Sequence, residues 1–284
     1  MKVLITGAGG YMGKHVVKAF LNHGHDVYVS DFSFKGVDER AKRIEEPIFS
    51  GDKDIYEKIG RPDVLVHLAW RDGFVHNSSA HMQDLSSHMT FLQNMIDGGV
   101  KYLTVMGSMH EVGYWEGAID ENTPCNPMSM YGIAKNAMRQ ALMLYVKDKD
   151  VNLHWLRAYY IYGDDARGSS IFAKLYQAAE DGKTEFPFTT GKNLYDFIHV
   201  DDLAEQIMWA SIQSNENGII NVCTGKPMSL ADKIESYIKE HNMNIKLKYG
   251  AYPDRPYDSP GTWGDATKIN SIMEKKIDDT SIVD

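Results

Sequence analysis

The sequence predicts an α/β fold built on a doubly wound parallel sheet with a smaller lobe toward the C-terminus, and three observations carry that prediction. Apolar runs of strand length alternate with segments of helical periodicity from the first residues to about Gly163. A glycine-rich turn joins the first run to the first helical segment. A carboxylate, Asp31, closes the second run 24 residues beyond Gly7.

Val3, Leu4 and Ile5 make one buried strand, too short for a helix. Thr6-Gly7-Ala8-Gly9-Gly10-Tyr11-Met12-Gly13 follows, and Met12, Val16, Val17, Phe20 and Leu21 then recur at helical spacing. Gly7 permits the tight turn, Gly10 lets the backbone approach a pyrophosphate, and Gly13 lets helix and strand pack closely. Tyr11 and Met12 lie inside this turn and join the cofactor-binding set. His25 to Ser30 reads as the second strand. Asp31 at its end can accept both hydroxyls of an adenosine ribose and would repel a 2′-phosphate, which favours NAD over NADP. The sheet is therefore of the Rossmann type.

Phe32 to Ser50 reads as a loop with a short helix, and Ile48 to Asp52 as a third strand ending at Asp52. Val64 to Ala69 is a fourth apolar run, ended by Trp70. A helical pattern from Met82 to Met95 leads to a fifth, Lys101 to Met106, which runs into Gly107-Ser108. Ligands belong at the carboxyl ends of such strands, which places Asp52, Leu68 and Ala69 with the cofactor. A helix opens near Ser129 with Ile133, Ala134, Ala137, Met138, Ala141, Leu142 and Tyr145 as an apolar stripe. Tyr131 and Lys135 are four apart on it and share a face. A tyrosine with a lysine one turn away is what proton transfer to a sugar or alcohol oxygen requires, because the ammonium and an oxidised nicotinamide both favour phenolate. Ser108 would hold the same oxygen. Further on, Ile171, Phe172, Leu175 and Tyr176 are at helical spacing, Ile219 to Cys223 is a strand, and Ser229-x-x-Asp232 opens a helix to about Glu240.

The chain of 284 residues is long enough for a sizeable core, and its 43% hydrophobic and 24% charged content is that of a globular protein. A net charge of −9, with scattered acidic residues, argues against nucleic acid or an anionic membrane as partner. Cys125 and Cys223 lie apart without metal-ligand spacing, as do His67, His110 and His199, so no metal is expected and a reducing compartment is. The chain enters a core strand at once, without a signal segment or an apolar run of membrane-spanning length, and the expected location is the cytoplasm.

Thr6-Gly7-x-x-Gly10-x-x-Gly13, His67-Leu68-Ala69, Ser108 and Tyr131-x-x-x-Lys135 together resemble the extended short-chain dehydrogenase/reductases, the NAD-dependent sugar epimerase/dehydratase group. Arg157 to Gly163 is similar to that family's sixth strand and Asp196 to Ala204 to its next signature. Arg255-Pro256-Tyr257-Asp258 resembles the Arg-x-x-Asp that grips a nucleotide diphosphate and ribose. The resemblance implies a nucleotide-sugar substrate, with Ser108, Tyr131 and Lys135 catalytic, Tyr131 and Lys135 also against the cofactor, Ser108, Arg255 and Asp258 against the substrate, and a homodimer packed through the Met82–Met95 and Ser129–Tyr145 helices. The chain departs from the family at Tyr160, where many members have Asn, at Tyr195, where Arg is common, and at Asp84, near the usual Asn. Met109-His110 stands where the 4,6-dehydratases carry an Asp-Glu pair, which disfavours water elimination; Glu111 reads as a surface or outer carboxylate. The expected organisation is a Rossmann-type domain over 1–163, rejoined by about 195–225, and a smaller substrate-binding lobe from 164–194 and 226–284. The expected function is NAD-dependent epimerisation or reduction by hydride transfer at C4 of the sugar. An NADP-dependent 4-ketosugar reductase and a non-catalytic dinucleotide sensor remain as alternatives.

Overall fold

The first apolar run is β1 (Lys2–Thr6), followed by α1 (Tyr11–Asn22) and β2 (Asp26–Ser30) in a computed structural model that describes residues 1–163, 170–254 and 258–279, with side chains as far as Lys275. Next come β3 (Lys42–Arg43), α2 (Ile55–Lys58), β4 (Val64–His67), α3 (Ala80–Gln83), α4 (Leu85–Gly98) and β5 (Tyr102–Ser108). A 3-10 turn (Met109–Glu111), β6 (Gly117–Ile119), α5 (Met130–Tyr145), β7 (Asn152–Ala158) and β8 (Tyr160–Tyr162) follow. The chain continues through α6 (Ile171–Glu180), β9 (Glu185–Pro187), β10 (Leu194–Tyr195), β11 (Phe197–His199), α7 (Val200–Ser211) and β12 (Gly218–Val222). It ends with β13 (Met228–Ser229), α8 (Leu230–Glu240), β14 (Lys246–Lys248), β15 (Gly261–Gly264) and α9 (Thr267–Asp279).

Seven strands form one parallel sheet in the order β12-β7-β5-β4-β1-β2-β3. Alternate residues of each strand face opposite sides, so Val3 and Ile5 enter one core and Leu4 the other. On the first side they meet Val16, Val17 and Phe20 of α1, Leu203 and Ile207 of α7, and Ile269 and Ile272 of α9. On the second they meet Ile55 of α2, Phe91, Leu92 and Met95 of α4, and Met138 and Leu142 of α5. Leu4 is 1% exposed, and cutting it to Ala would cost about 2–5 kcal/mol through lost burial and the cavity left behind. A third apolar cluster unites Phe172, Leu175, Phe188, Phe197, Ile234, Tyr237 and Ile245, drawn from α6, α8 and the strands beside them.

The third strand differs from expectation. Ile48 to Asp52 is a turn, with the Ser50 amide donating to the Pro47 carbonyl at 3.1 Å and Gly51 at φ +78°; the sheet's edge is instead β3 at Lys42–Arg43. Proline and a left-handed glycine deny that run a ladder, although Ile48 is still buried. Nor is there a helix between Phe32 and Ser50, where the chain runs through turns and bends around β3. The Met82 to Met95 helix starts earlier, at Ala80, and is divided at Asp84, whose carboxylate pairs with Arg71 at 2.9 Å.

Candidate active site

β1 lies between β2 and β4, so the winding of the sheet reverses there and opens a crevice at the strands' carboxyl ends. The glycine turn occupies that crevice. Gly7 has φ +72°, and a Cβ on it would stand 2.6 Å from the Ala69 amide nitrogen, so the loops after β1 and β4 meet at a glycine. A Cβ on Gly13 would stand 2.1 Å from the Gly7 carbonyl oxygen, which is the close helix-to-turn packing expected of it. Gly10, at the start of α1, meets only the Gly7 carbonyl at 3.1 Å; a side chain there would fill a cradle over an uncapped helix end. Gly9, not singled out in the sequence, is as crowded as Gly13, its absent Cβ 1.9 Å from the Ser33 carbonyl. Asp31 is half-buried and accepts from the Gly9 amide at 2.8 Å and the Phe32 amide at 2.6 Å. Those bonds aim the carboxylate while leaving lone pairs for two ribose hydroxyls. The residues fit a dinucleotide.

Around that cradle, Leu68 is buried in the core, Met12 packs against the same core, and the Tyr11 hydroxyl donates to the Gly163 carbonyl. Asp52 takes the Asp54 amide at 2.9 Å and pairs with Lys58, so its carboxylate organises the turn into α2.

The candidate catalytic residues stand on the neighbouring strand and helix. β5 and β7 pair in register so that Ser108 lies opposite Ala158 at the sheet's carboxyl edge. Ser129 caps α5, its hydroxyl accepting from the Gly132 amide at 3.1 Å, and the loop after β4 adds two bonds to the same end: the Tyr131 amide to the His76 carbonyl at 2.9 Å and the Met130 amide to Asn77 Oδ1 at 3.2 Å. The Tyr131 hydroxyl lies beside the Ser108 side chain, which favours its ionised form. Lys135, 3% exposed, donates from Nζ to the Met106 carbonyl at 2.8 Å. The sequence-predicted Ser108, Tyr131 and Lys135 are thus brought together. Burial pushes the Tyr131 phenol up to about 12, with the Ser108 side chain pulling the other way, and burial brings the Lys135 ammonium down to about 7. In the cofactor-free protein desolvation therefore outweighs the depression of the tyrosine expected from the sequence, and the positive charge of an oxidised nicotinamide is what remains to supply it.

Sequence reasoning missed the aromatic surroundings. Trp70 sits beneath Lys135, with Nζ 3.7 Å from the ring centroid. Its indole N–H donates to His81 Nδ1 at 3.0 Å, and His81 Nε2 reaches the Val75 carbonyl at 2.9 Å. The His88 ring stacks on Trp70 at 4.7 Å, and His88 in turn meets His67 Nε2 at 2.8 Å, whose Nδ1 meets Thr6 Oγ1 at 2.8 Å. His76 stacks on Tyr131 at 5.7 Å, with His81 at 5.3 Å and His110 at 6.1 Å edge-on. Burial holds His88 and His110 down at about 4 and His67 well below its ordinary value, so these rings are neutral at physiological pH. Among the described residues no group of His, Cys, Asp and Glu is arranged to hold a metal ion, and no helix is long and apolar enough to cross a membrane. The one available signal for Trp70 was its place directly after a strand at the carboxyl edge.

Of the two places expected for it, Glu111 takes the outer one: it is fully buried behind Ser108 rather than on the surface. It accepts from the Ser108 amide at 2.7 Å, the Trp155 indole at 2.9 Å and Arg157 Nε at 3.2 Å. The carboxyl end of β5 is thereby tied to β7. Tyr160 and Tyr195, two of the departures from the family pattern, are in contact, their centroids 4.2 Å apart. Burial pushes the Tyr160 phenol up, and the Asp258 carboxylate adds to the rise, which places Asp258 near this pair. Arg255 lies outside the described residues.

A glycine cradle at the switch point of a parallel sheet, an aimed Asp31 and a Ser–Tyr–Lys cluster beside them define an NAD-dependent enzyme of the short-chain dehydrogenase/reductase type. The profile of the NAD dependent epimerase/dehydratase family matches residues 3–223, and the chain belongs to that family. It is 43% identical over 271 residues, 93% of this chain and 99% of the relative, to a dTDP-6-deoxy-L-talose 4-dehydrogenase (NAD(+)) of Aggregatibacter actinomycetemcomitans. It is 26% identical to a UDP-glucose 4-epimerase of Lactobacillus helveticus, over 96% of this chain and 91% of that one. Its fold is similar to that of the UDP-glucose 4-epimerase of Thermotoga maritima solved with UDP-glucose, with TM-score 0.79, 22% identity and coverage of 95% and 92% of the two chains.

Proposed function

We propose that the chain is an NAD-dependent oxidoreductase acting at C4 of a nucleotide-linked hexose, and that its substrate is a 6-deoxyhexose carried on a deoxythymidine diphosphate. The observation that carries the chemistry is the contact of Tyr131 with Ser108 above the buried Lys135, at the carboxyl edge of the sheet beside the cradle. The substrate class is supported by the 43% identity to the talose 4-dehydrogenase, which extends over 99% of that relative's length. Bound NAD would be held by Gly7, Gly10, Gly13 and Asp31 and would supply the acceptor for the C4 hydrogen. Ser108 holds the C4 oxygen, and Tyr131 takes its proton in oxidation and returns it in reduction. Lys135 in its charged form lowers the cost of the phenolate. Net oxidation releases one proton for each NAD reduced, whereas an epimerase returns both proton and hydrogen to the sugar. Residues 164–194 and 226–284 supply the substrate lobe in this reading, with the Tyr160–Tyr195 pair and Asp258 facing the nucleotide sugar.

The same reading includes a dimer packed through α4 and α5, where Ile133 and Leu144 are 44% and 76% exposed instead of joining the buried stripe. The deciding experiment incubates the protein and NAD with dTDP-6-deoxy-L-talose and, separately, with UDP-glucose. NADH should accumulate with the first in proportion to 4-keto sugar. Isomerised UDP-glucose without free NADH would replace the dehydrogenase with an epimerase.

A further inference from the structure

We propose that Trp70 is a positioning residue for proton transfer: its indole face holds the Lys135 ammonium charged and aimed inside a site that otherwise strips it of solvent. The geometry is specific. Lys135 Nζ lies 3.7 Å from the Trp70 centroid, against 5.9 Å from that of Tyr131, and its nitrogen also donates to the Met106 carbonyl. The indole cannot turn away without losing its bond to His81, itself 1% exposed and anchored to the Val75 carbonyl. His88 packs on the same indole, tethered through His67 to Thr6 at the end of β1. The ring beneath the ammonium is therefore fixed from α3, from α4 and from the strand that begins the glycine turn.

Among the described residues, the other titratable or charged groups facing Lys135 can be named. Tyr131 shares its helix, Glu111 approaches from the turn after β5, His67 from β4 and His88 from α4, with His81 reaching it through Trp70. Of these Glu111 favours the ammonium, but its carboxylate is already engaged by Trp155 and Arg157. Burial disfavours the ammonium. A desolvated cation over an indole gains most from the ring's negative face, because no water competes for it and tryptophan has the strongest face of the aromatic side chains. The catalytic consequence rests on the proton-transfer reading above; the contact itself does not.

The test follows Lys135 in the cofactor-free protein by NMR titration of isotopically labelled lysine side chains, assigned with Lys135→Arg. Trp70→Leu should lower the Lys135 titration midpoint by about one pH unit, and Trp70→Phe by less. Where Trp70→Leu does not fold, biosynthetic replacement of tryptophan by its mono-, di- and trifluoro analogues keeps the ring's shape and withdraws its negative face. The midpoint should then fall in graded steps, and the high-pH limb of turnover should fall with it. A purely structural tryptophan would leave the midpoint unmoved across the fluorinated series, and that result overturns the proposal. Graded midpoints with an unmoved turnover profile would uphold the Trp70 contact and count against Lys135 in the proposed reaction.

Discussion

Replacing Tyr131 by Phe separates chemistry from architecture at this site. The ring stays, so its packing against His76, His81 and Trp70 is kept, and what is lost is a hydroxyl beside Ser108. Losing one hydroxyl costs about 1 kcal/mol of stability, which in a chain of this size is about 2 °C in Tm. Affinity for NAD should barely move, because the cradle and Asp31 lie on other strands. Turnover should fall steeply. With the phenol pushed up to about 12, the ionised fraction at about pH 8 is on the order of 10⁻⁴ in the cofactor-free protein. Each unit by which bound, oxidised cofactor and charged Lys135 lower that value raises the fraction tenfold. Without the hydroxyl none of this is available, and the loss expected of a missing acid/base is on the order of 10²–10⁴ in kcat. The assay is steady-state NADH formation on the true substrate, beside calorimetric titration of NAD and a thermal melt. Turnover within about threefold of wild type, with intact NAD binding, would refute the assignment of Tyr131.

Four other outcomes are expected. Calorimetry should find NAD bound much more tightly than NADP, with the gap narrowed in Asp31→Ala; equal affinities in the wild type would remove the ribose role of Asp31. Glu111→Ala leaves Arg157 buried without its carboxylate and should cost about 3–5 kcal/mol in urea unfolding, so a loss under 1 kcal/mol, on the order of a surface ion pair, would contradict the buried pairing. His88, His110 and His154 are each held by burial at about 4 against an ordinary 6.5, so on acidification the unfolded chain takes up protons first. Their contribution to stability is complete above about 6.5 and drains away as the pH falls toward 4; a urea midpoint unchanged between pH 7 and pH 5, within that window, would argue against it. Light scattering at micromolar concentration should give twice the 32.1 kDa chain mass, and a monomer would remove the α4–α5 pairing.

The parts of the molecule legible in the sequence are those whose signal is local. The glycine turn, Asp31 and the Tyr131–Lys135 pair are each specified by residues within one strand–helix unit, where spacing alone sets geometry. The Ile48 to Asp52 strand was misread because composition suits a strand there, while Pro47 and Gly51 deny it a ladder. Which of its two expected places Glu111 takes is not legible in the sequence, because its partners, Trp155 and Arg157, lie more than forty residues away on β7 and meet it only through the β5–β7 register. The histidine and tryptophan surroundings of Lys135 were invisible for the same reason. His67, Trp70, His81 and His88 look like four unrelated residues until β4, α3 and α4 converge on α5. Each then satisfies a buried polar atom of another, which no single-strand pattern announces.

The amino end of α5 has its first amides plugged: Met130 by Asn77, Tyr131 by the His76 carbonyl, Gly132 by Ser129. The amino end of α1 carries no side-chain cap. Each helix places about half a positive charge at its start, but only exposed amides can deliver that charge to an anion at hydrogen-bonding range. A long ligand with phosphates in its middle and a neutral reactive ring at one end therefore meets two unequal docks. In the proposed reading its anionic part is drawn to α1, and the ring is left for Tyr131. Threaded the other way, the same ligand would lay its phosphates against a stoppered helix. By capping α5, His76 and Asn77 would then give the crevice a direction before any side chain recognises a base or a sugar.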